Sequence, residues 1–178
     1  MPSRSMHRPL TLLFALATAG SLHAQTTPTL TDPQVAHVAV TANGIDSAAA
    51  KFALTRTTND QVKSFAQTMI TDHSAVDAQA VALVTRLHVT PADNAVSRSL
   101  KSGAAQAHAR LVPLHGAAFD KAYMDREVAY HQAVLDAIDH TLIPASQNAD
   151  LKKLLTDVRP AIAAHLAHAR ELRQSLGA

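Results

Sequence analysis

Four long helical segments of this sequence each place ionisable side chains on the stripe of apolar residues that should face a core. These side chains are Asp46, His73, Glu127, His131 and His165. Imidazole and carboxylate groups are common ligands of Zn, Fe and Cu ions, and helical bundles build metal sites from side chains on facing helices. At a rise of about 1.5 Å per residue, the members of each predicted helical hairpin fall at similar heights. We therefore expect the five side chains to meet in one polar layer inside a bundle.

Two interpretations of this layer stay open. In the first, carboxylate–imidazole pairs bond to one another and to Tyr123 or Tyr130, and they fix the register of the helices because buried polar groups need partners. In the second, the layer binds a metal ion. Glu127 and His131 lie one helical turn apart on the same face, as two ligands from one helix would.

Several further side chains flank the five candidate ligands. Asp72 is adjacent to His73 in the sequence, and we expect its carboxylate to orient that imidazole. A variant of the metal site adds thioethers to the imidazoles, a combination that suits Cu(I), although methionine on an apolar stripe is usually core filler. The candidate surroundings of the metal are Asp72, Asp120, Tyr123, Met69 and Met124.

Start signals and apolar periodicity predict the first two long helices. Asp32-Pro33 has the residue types of a helix start, with Asp accepting from free N–H groups of the first turn. A capping pattern at residues 58–61 opens the second helix. Its apolar residues recur in steps of four and three as far as Leu87, which indicates a long bundle helix.

The remainder of the chain predicts a connecting helix and two more long helices. The connecting helix covers about 93–111 and is either broken at Gly103 or stopped by Pro113. The third long helix runs from about residue 116 to 142, with Pro144 as its stop. The fourth starts at residues 148–150, and Pro160 predicts a kink or a new start near Thr156. The pattern predicts an all-α, up-and-down four-helix bundle with an additional short connecting helix.

The N-terminal residues have the composition of a secretory signal peptide. A basic head contains Arg4 and Arg8, an apolar run follows from Pro9 to Gly20, and Ala24 offers a small residue at the cleavage point. We predict a signal peptide over residues 1–24, a flexible leader over 25–31 and the helical domain over 32–176. The protein would then be periplasmic or secreted.

Composition excludes several classes of function. The sequence contains no Cys, which excludes disulfides and thiolate metal sites. Of the 16 Lys and Arg, Arg4 and Arg8 leave with the signal peptide, so 14 remain against 14 Asp and Glu. A mature chain without excess positive charge argues against nucleic-acid binding. No later segment is apolar enough to predict a transmembrane helix.

The sequence also resembles a known family. The residues that carry the resemblance are Phe65-Ala66-Gln67-x-Met69-Ile70-x-Asp72-His73, Phe119-Asp120-x-x-Tyr123, His131, and Pro160 with His165-Leu166. They resemble DUF4142, a family of exported bacterial proteins of unknown function with a ferritin-like helical bundle. The family commonly has Glu in the first helix, where this chain has Asp46. The Glu-x-x-His pairs of di-iron proteins would need Glu at Ile70 and Ile162, so a ferroxidase is not indicated.

From these observations we expect an exported protein with a ferritin-like bundle, and we favour a non-enzymatic binding or stress-associated envelope module. The alternative is a metal-binding or redox protein that uses the interior cluster for Zn, Fe or Cu. Outer-membrane association is a third hypothesis, which the neutral charge argues against. An envelope protein or a second copy of the chain would be the partner.

Overall fold

The computed structural model of the protein describes residues 29–177. Their helices are α1 (Asp32–Leu54), α2 (Asp60–Arg86), α3 (Ala95–Leu111), α4 (Gly116–Ala137), α5 (Ile143–Ala145) and α6 (Ala149–Ser175), with a π-helical turn at Ile138–Leu142. No strand occurs within residues 29–177, and the predicted all-α bundle is confirmed. The predicted signal peptide and the first four residues of the predicted leader lie outside the described residues.

The four long helices α1, α2, α4 and α6 form the bundle. α1 packs along α2, and α4 packs along α6, which gives two hairpins. Arg126 of α4 reaches Asp46 of α1, and His165 of α6 reaches Asp72 of α2, so the hairpins lie side by side. α3 packs on α1 and α4 and carries the chain from the end of α2 to the start of α4. A single long connection of this kind is the one that ferritin-like bundles have.

Asparagine side chains start three of the helices. The Oδ1 atoms of Asn59, Asn94 and Asn148 each accept hydrogen bonds from backbone N–H groups two and three residues further on. These bonds satisfy donors that have no acceptor inside the helix. The predicted start of the second helix is therefore present, with Asn59 as its cap.

The start of α1 differs from the prediction. Its N-cap is Thr31, whose backbone N–H donates to Gln34 Oε1 at 3.0 Å. The Asp32 carboxylate instead accepts the backbone N–H groups of Gln147 and Asn148, at 2.8 and 3.0 Å. Asp32 therefore ties the first helix to the start of the last one, a long-range contact that a cap pattern does not reveal.

Of the two alternatives predicted for the connecting helix, the structure has the second: α3 continues through Gly103 and ends at Leu111, two residues before Pro113. α6 continues through Pro160, and the predicted new start near Thr156 is wrong. The helical path of α4 also passes Pro144, because the π-helical turn leads directly into α5 and the chain becomes extended only at Ser146. A glycine inside a helix costs only about 1 kcal/mol relative to alanine, so Gly103 alone does not end α3.

The core has two apolar halves with the polar layer between them. One half lies where α1 meets α2, and the other lies at the opposite end of the bundle. The first includes Phe65, Met69, Tyr123 and Leu172, and the second includes Val35, Leu83, Leu151 and Ile162. Within residues 29–177, no helix has both the length and the hydropathy that crossing a bilayer requires.

The link between α1 and α6 generates the first prediction. Asp32→Ala should lower the free energy of unfolding by about 1 kcal/mol, because the backbone N–H groups of Gln147 and Asn148 lose a charged acceptor. Urea denaturation measures the loss, and amide hydrogen exchange should show faster exchange at Gln147 and Asn148. Asp60→Ala is the matched control, since Asp60 holds the equivalent first position of α2 and pairs with Lys63. Faster exchange confined to the first turn of α1 would contradict the assignment.

Candidate metal centre

All five predicted ligands are buried and lie together at mid-height of the bundle. Asp46 comes from α1, His73 from α2, Glu127 and His131 from α4, and His165 from α6. None exposes more than 7 % of its surface. The ring centres of the three imidazoles are 5.4 to 5.9 Å apart. The predicted polar layer therefore exists, and the role of its members as metal ligands stays a prediction.

Each imidazole uses one ring nitrogen for a hydrogen bond to an oxygen acceptor. His73 Nδ1 lies 2.6 Å from Asn43 Oδ1, and His131 Nδ1 lies 3.0 Å from the Glu127 carbonyl oxygen. His165 Nε2 lies 2.9 Å from Asp72 Oδ2. Because these partners accept, the bonded ring nitrogens donate, and the opposite nitrogens of the neutral rings carry lone pairs.

The three remaining ring nitrogens are buried and have no hydrogen-bond partner among residues 29–177. They are His73 Nε2, His131 Nε2 and His165 Nδ1. One ligand atom from each imidazole lies within 4.8 Å of those of the other two. An imidazole that donates one N–H to a carboxylate, amide or carbonyl oxygen and presents its other nitrogen is the usual form of a metal-ligating histidine. The three unbonded nitrogens are therefore candidate ligands for one ion, and this role stays a prediction.

The two carboxylates form a second set beside the imidazoles. Ligand atoms of Asp46, Glu127 and His131 also lie within 4.8 Å of one another. Arg126 Nη1 donates to Asp46 Oδ1 and to Glu127 Oε1, the latter at 2.6 Å. Within the described chain, Asp46 Oδ2 and Glu127 Oε2 remain without a hydrogen-bond partner. His73 Nε2 is 3.1 Å from Asp46 Oδ2, a distance at which a protonated Nε2 would donate to the carboxylate.

Burial shifts the pKa values of His131, His165 and Glu127. It lowers the pKa of His131 to about 4 and also lowers the pKa of His165, so both rings are neutral at pH 7. It raises the pKa of Glu127 to about 8, where Arg126 opposes the shift and the negative charge of Asp46 adds to it. Neutral imidazoles are the form that binds metal ions.

Asp46 behaves differently from Glu127. Burial favours its neutral form, but the contacts with His73 and Arg126 outweigh burial and hold the pKa of Asp46 below its usual range. The layer therefore contains an ionised carboxylate next to the neutral imidazoles of His131 and His165. A cation placed among these groups would gain electrostatic energy in a poorly solvated site.

The surroundings of the layer differ in part from the prediction. Asp72 bonds to His165 instead of His73, because His73 turns toward Asn43 of the neighbouring helix. Tyr130 does not bond to the layer: its hydroxyl donates to the Ala42 carbonyl oxygen at 2.8 Å. The Tyr123 hydroxyl likewise makes no hydrogen bond within residues 29–177, although burial and the nearby Glu127 raise its pKa.

The predicted thioether ligands belong to the apolar core. Met69 and Met124 are fully buried in the same cluster as Phe65 and Phe119. Asp120 is buried on α4, and its Oδ1 atom has no hydrogen-bond partner in the described residues. The side chains that contact the layer most directly, besides Asp72, are Asn43 and Arg126, and the sequence analysis identified neither.

A small apolar cavity of about 50 Å³ adjoins the imidazoles. His73 and His131 line it together with aliphatic side chains that include Val76 and Ile162. The π-helical turn contributes Ile138 and Leu142 to the same wall. This wall keeps water away from one side of the cluster and leaves room for a small ligand next to the unbonded ring nitrogens.

The fold and the site together define an all-α bundle with a buried cluster of imidazoles and carboxylates. Residues 17–172 match the model of DUF4142, described as a domain of unknown function, and the chain therefore belongs to the DUF4142 family. The family resemblance seen in the sequence is confirmed. The comparisons with curated proteins and with solved structures give no match.

The raised pKa of Glu127 generates the second prediction. A folded-state pKa above the unfolded value means that the contribution of Glu127 to stability is present below about pH 4.5 and is lost as the pH rises through about 8. The glutamine of the Glu127→Gln variant does not ionise, so this loss of stability with rising pH does not occur in the variant. The stability of the variant relative to the wild-type protein should therefore increase between pH 5 and 8, by at most about 1.4 kcal/mol per pH unit.

Urea denaturation of chelator-treated protein at several pH values measures this difference. Glu171→Gln serves as the control, because Glu171 is an exposed glutamate of α6. A stability difference between Glu127→Gln and wild type that does not change with pH would show that Glu127 ionises as freely in the folded protein as in the unfolded one.

Proposed function

We propose that this protein binds one metal ion on the imidazoles of His73, His131 and His165. The observation that carries the proposal is the arrangement of the three rings, each fixed by an oxygen acceptor on one nitrogen and presenting the other nitrogen to the cluster. The three unbonded ring nitrogens are buried and gain nothing from water. A bound cation would remove this penalty.

The charges of the layer support the same conclusion. The carboxylates of Asp46 and Glu127 are fully buried, and Arg126 is the cation that contacts both in the described chain. A divalent ion bound here would displace the proton that the raised pKa of about 8 keeps on Glu127, and the two carboxylates would then balance part of the charge of the ion. The ionised Asp46 lies 3.1 Å from His73 Nε2 and is placed to contact an ion held by the imidazoles.

The ligand set indicates which ions to test. Three imidazoles with a nearby carboxylate suit Zn, Cu or Fe(II), and the absence of cysteine removes the competition of thiolates. Three protein nitrogens leave a fourth position open, as in zinc enzymes with three His ligands. We assign no reaction to this position, because no group of the layer is placed against a substrate.

A structural polar layer in a non-enzymatic module is the second candidate function. The position of Arg126 favours it, since one guanidinium already joins the two buried carboxylates without a metal. In this arrangement the Asn43 amide would turn round and His73 Nε2–H would donate to Asp46. The unbonded nitrogens of His131 and His165 have no donor among residues 29–177 in either arrangement, which is why we favour the metal.

The third prediction separates these two functions. Untagged wild-type protein should bind one equivalent of Zn²⁺ in isothermal titration calorimetry, and zinc at a hundred times the dissociation constant should stabilise it by about 2.7 kcal/mol. His73→Gln and His165→Gln should each abolish stoichiometric binding. His140→Gln is the control, because His140 is exposed on the π-helical turn and lies outside the cluster. Equal zinc binding by all four proteins would leave only the structural function.

We further propose that the protein acts outside the cytoplasm. The basic head, apolar run and small residue at Ala24 support export. Periplasmic or secreted metal binding would combine these features. An envelope protein or a second copy of the chain remains the predicted partner.

The fourth prediction concerns export. Protein expressed with its own N-terminus in a bacterial host should appear in the periplasmic fraction, with Gln25 as its first residue by intact mass. Leu12→Arg places a charge in the apolar run and should leave the full-length chain in the cytoplasm. Ser5→Arg, which adds the same charge to the basic head, is the matched control and should not impair export. Uncleaved wild-type protein in the cytoplasm would contradict the proposal.

A further inference from the structure

Arg126 holds an unusual position for an arginine of a bundle helix. Its side chain is only 10 % exposed, and its Nη1 atom lies between Asp46 Oδ1 and Glu127 Oε1. Its guanidinium carbon stands 4.2 Å from the centre of the Tyr130 ring, which adds a cation–π contact. One nitrogen of the guanidinium thus bridges two carboxyl groups that come from different helices.

The second oxygen atom of each of these carboxyl groups has no hydrogen-bond partner within the described residues. Asp46 Oδ2, Glu127 Oε2 and His131 Nε2 are buried atoms without a hydrogen bond in residues 29–177. The same three residues satisfy the geometry of a metal site, with ligand atoms within 4.8 Å of one another. Two carboxylates and one imidazole form a ligand set for a divalent ion such as Zn²⁺ or Fe²⁺.

We propose that Arg126 occupies a second cation subsite, formed by Asp46, Glu127 and His131, and thereby limits the wild-type protein to one metal ion. The inference rests on the proposed metal site at His73, His131 and His165, because it counts the second ion relative to the first. His131 belongs to both ligand sets, and Asp46 Oδ2 lies within 3.8 Å of both His73 Nε2 and His131 Nε2. If two ions were bound, the Asp46 carboxylate would bridge them, and the His131 imidazole would be a ligand of one of them.

Arg126 lies next to a groove, which leaves space for a side chain of a different size at position 126. A groove between α3 and α4 with a volume of about 740 Å³ is lined by Arg126 and Tyr130, and small residues including Ala129 form much of its wall. The carboxylates therefore lie one side chain away from this groove. Removal of the guanidinium opens a short path for a hydrated ion to Asp46 and Glu127.

The test counts bound zinc ions in position-126 variants by native mass spectrometry and isothermal titration calorimetry. Wild type and Arg126→Lys, which keeps the positive charge, should each bind one Zn²⁺. Arg126→Met should bind two. Arg173→Met, a change to a partly exposed arginine that pairs with Asp125 on the surface, should still bind one.

The double variant Arg126→Met/Glu127→Gln identifies the second subsite. It removes the guanidinium together with one of the two carboxylates, and it should return the count to one. Arg126→Met leaves two buried carboxylates without their cation, so each variant is prepared both with and without zinc during refolding. Arg126→Gln keeps N–H donors for both carboxylates and serves as the second variant for the count if Arg126→Met does not fold.

The outcomes separate the inference from the proposed function. One ion in wild type and two in Arg126→Met or Arg126→Gln supports both. One ion in wild type and one in these variants overturns the inference and leaves the proposed function intact. No ion in wild type and one in Arg126→Met rejects the three-imidazole site and supports the carboxylate subsite. No ion in any of these proteins rejects both.

Discussion

The burial of ionisable groups at mid-height of the bundle is the constraint on which the rest of the structure depends. Asp46 and Glu127 are fully buried, and three imidazoles surround them with at most 7 % exposure. Desolvation of such groups is unfavourable unless each has a partner. Asn43, Asp72 and the Glu127 carbonyl supply one partner to each imidazole, and Arg126 supplies one to the carboxylates. The buried atoms that remain without a hydrogen-bond partner in residues 29–177 are the observation on which the metal proposal rests.

The apolar halves of the core hold this layer at one height. Each long helix contributes to the layer and to the clusters above and below it, so a shift of one helix along another would separate the polar partners and bury them against hydrocarbon. The side chain of Asp32 adds a link between the start of α1 and the start of α6. The layer therefore fixes the register of the helices, and the helices position the layer.

The sequence predicted the all-α fold and the proximity of the five buried groups, because both follow from the period of the apolar residues. The same period gives no information on which side chains of neighbouring helices meet. Asn43 lies three residues before Asp46 on the same face of α1, and this spacing alone indicates that its side chain lies next to the layer. Arg126 lies beside the apolar stripe, where a long charged side chain is expected in solvent. Only the side-chain contacts between α4 and α1, Arg126 with Asp46 and Tyr130 with the Ala42 carbonyl oxygen, show that it turns inward.

The most direct test of the central claim is zinc K-edge X-ray absorption on the untagged protein loaded with one equivalent of zinc. A metal centre built on His73, His131 and His165 predicts three imidazole nitrogens at about 2.0–2.1 Å, with the multiple-scattering pattern of histidine rings. One or two oxygen neighbours would complete the shell. A spectrum with only oxygen neighbours, unchanged by His165→Gln, would show that the zinc lies elsewhere and would contradict the assignment of the buried layer as a metal centre.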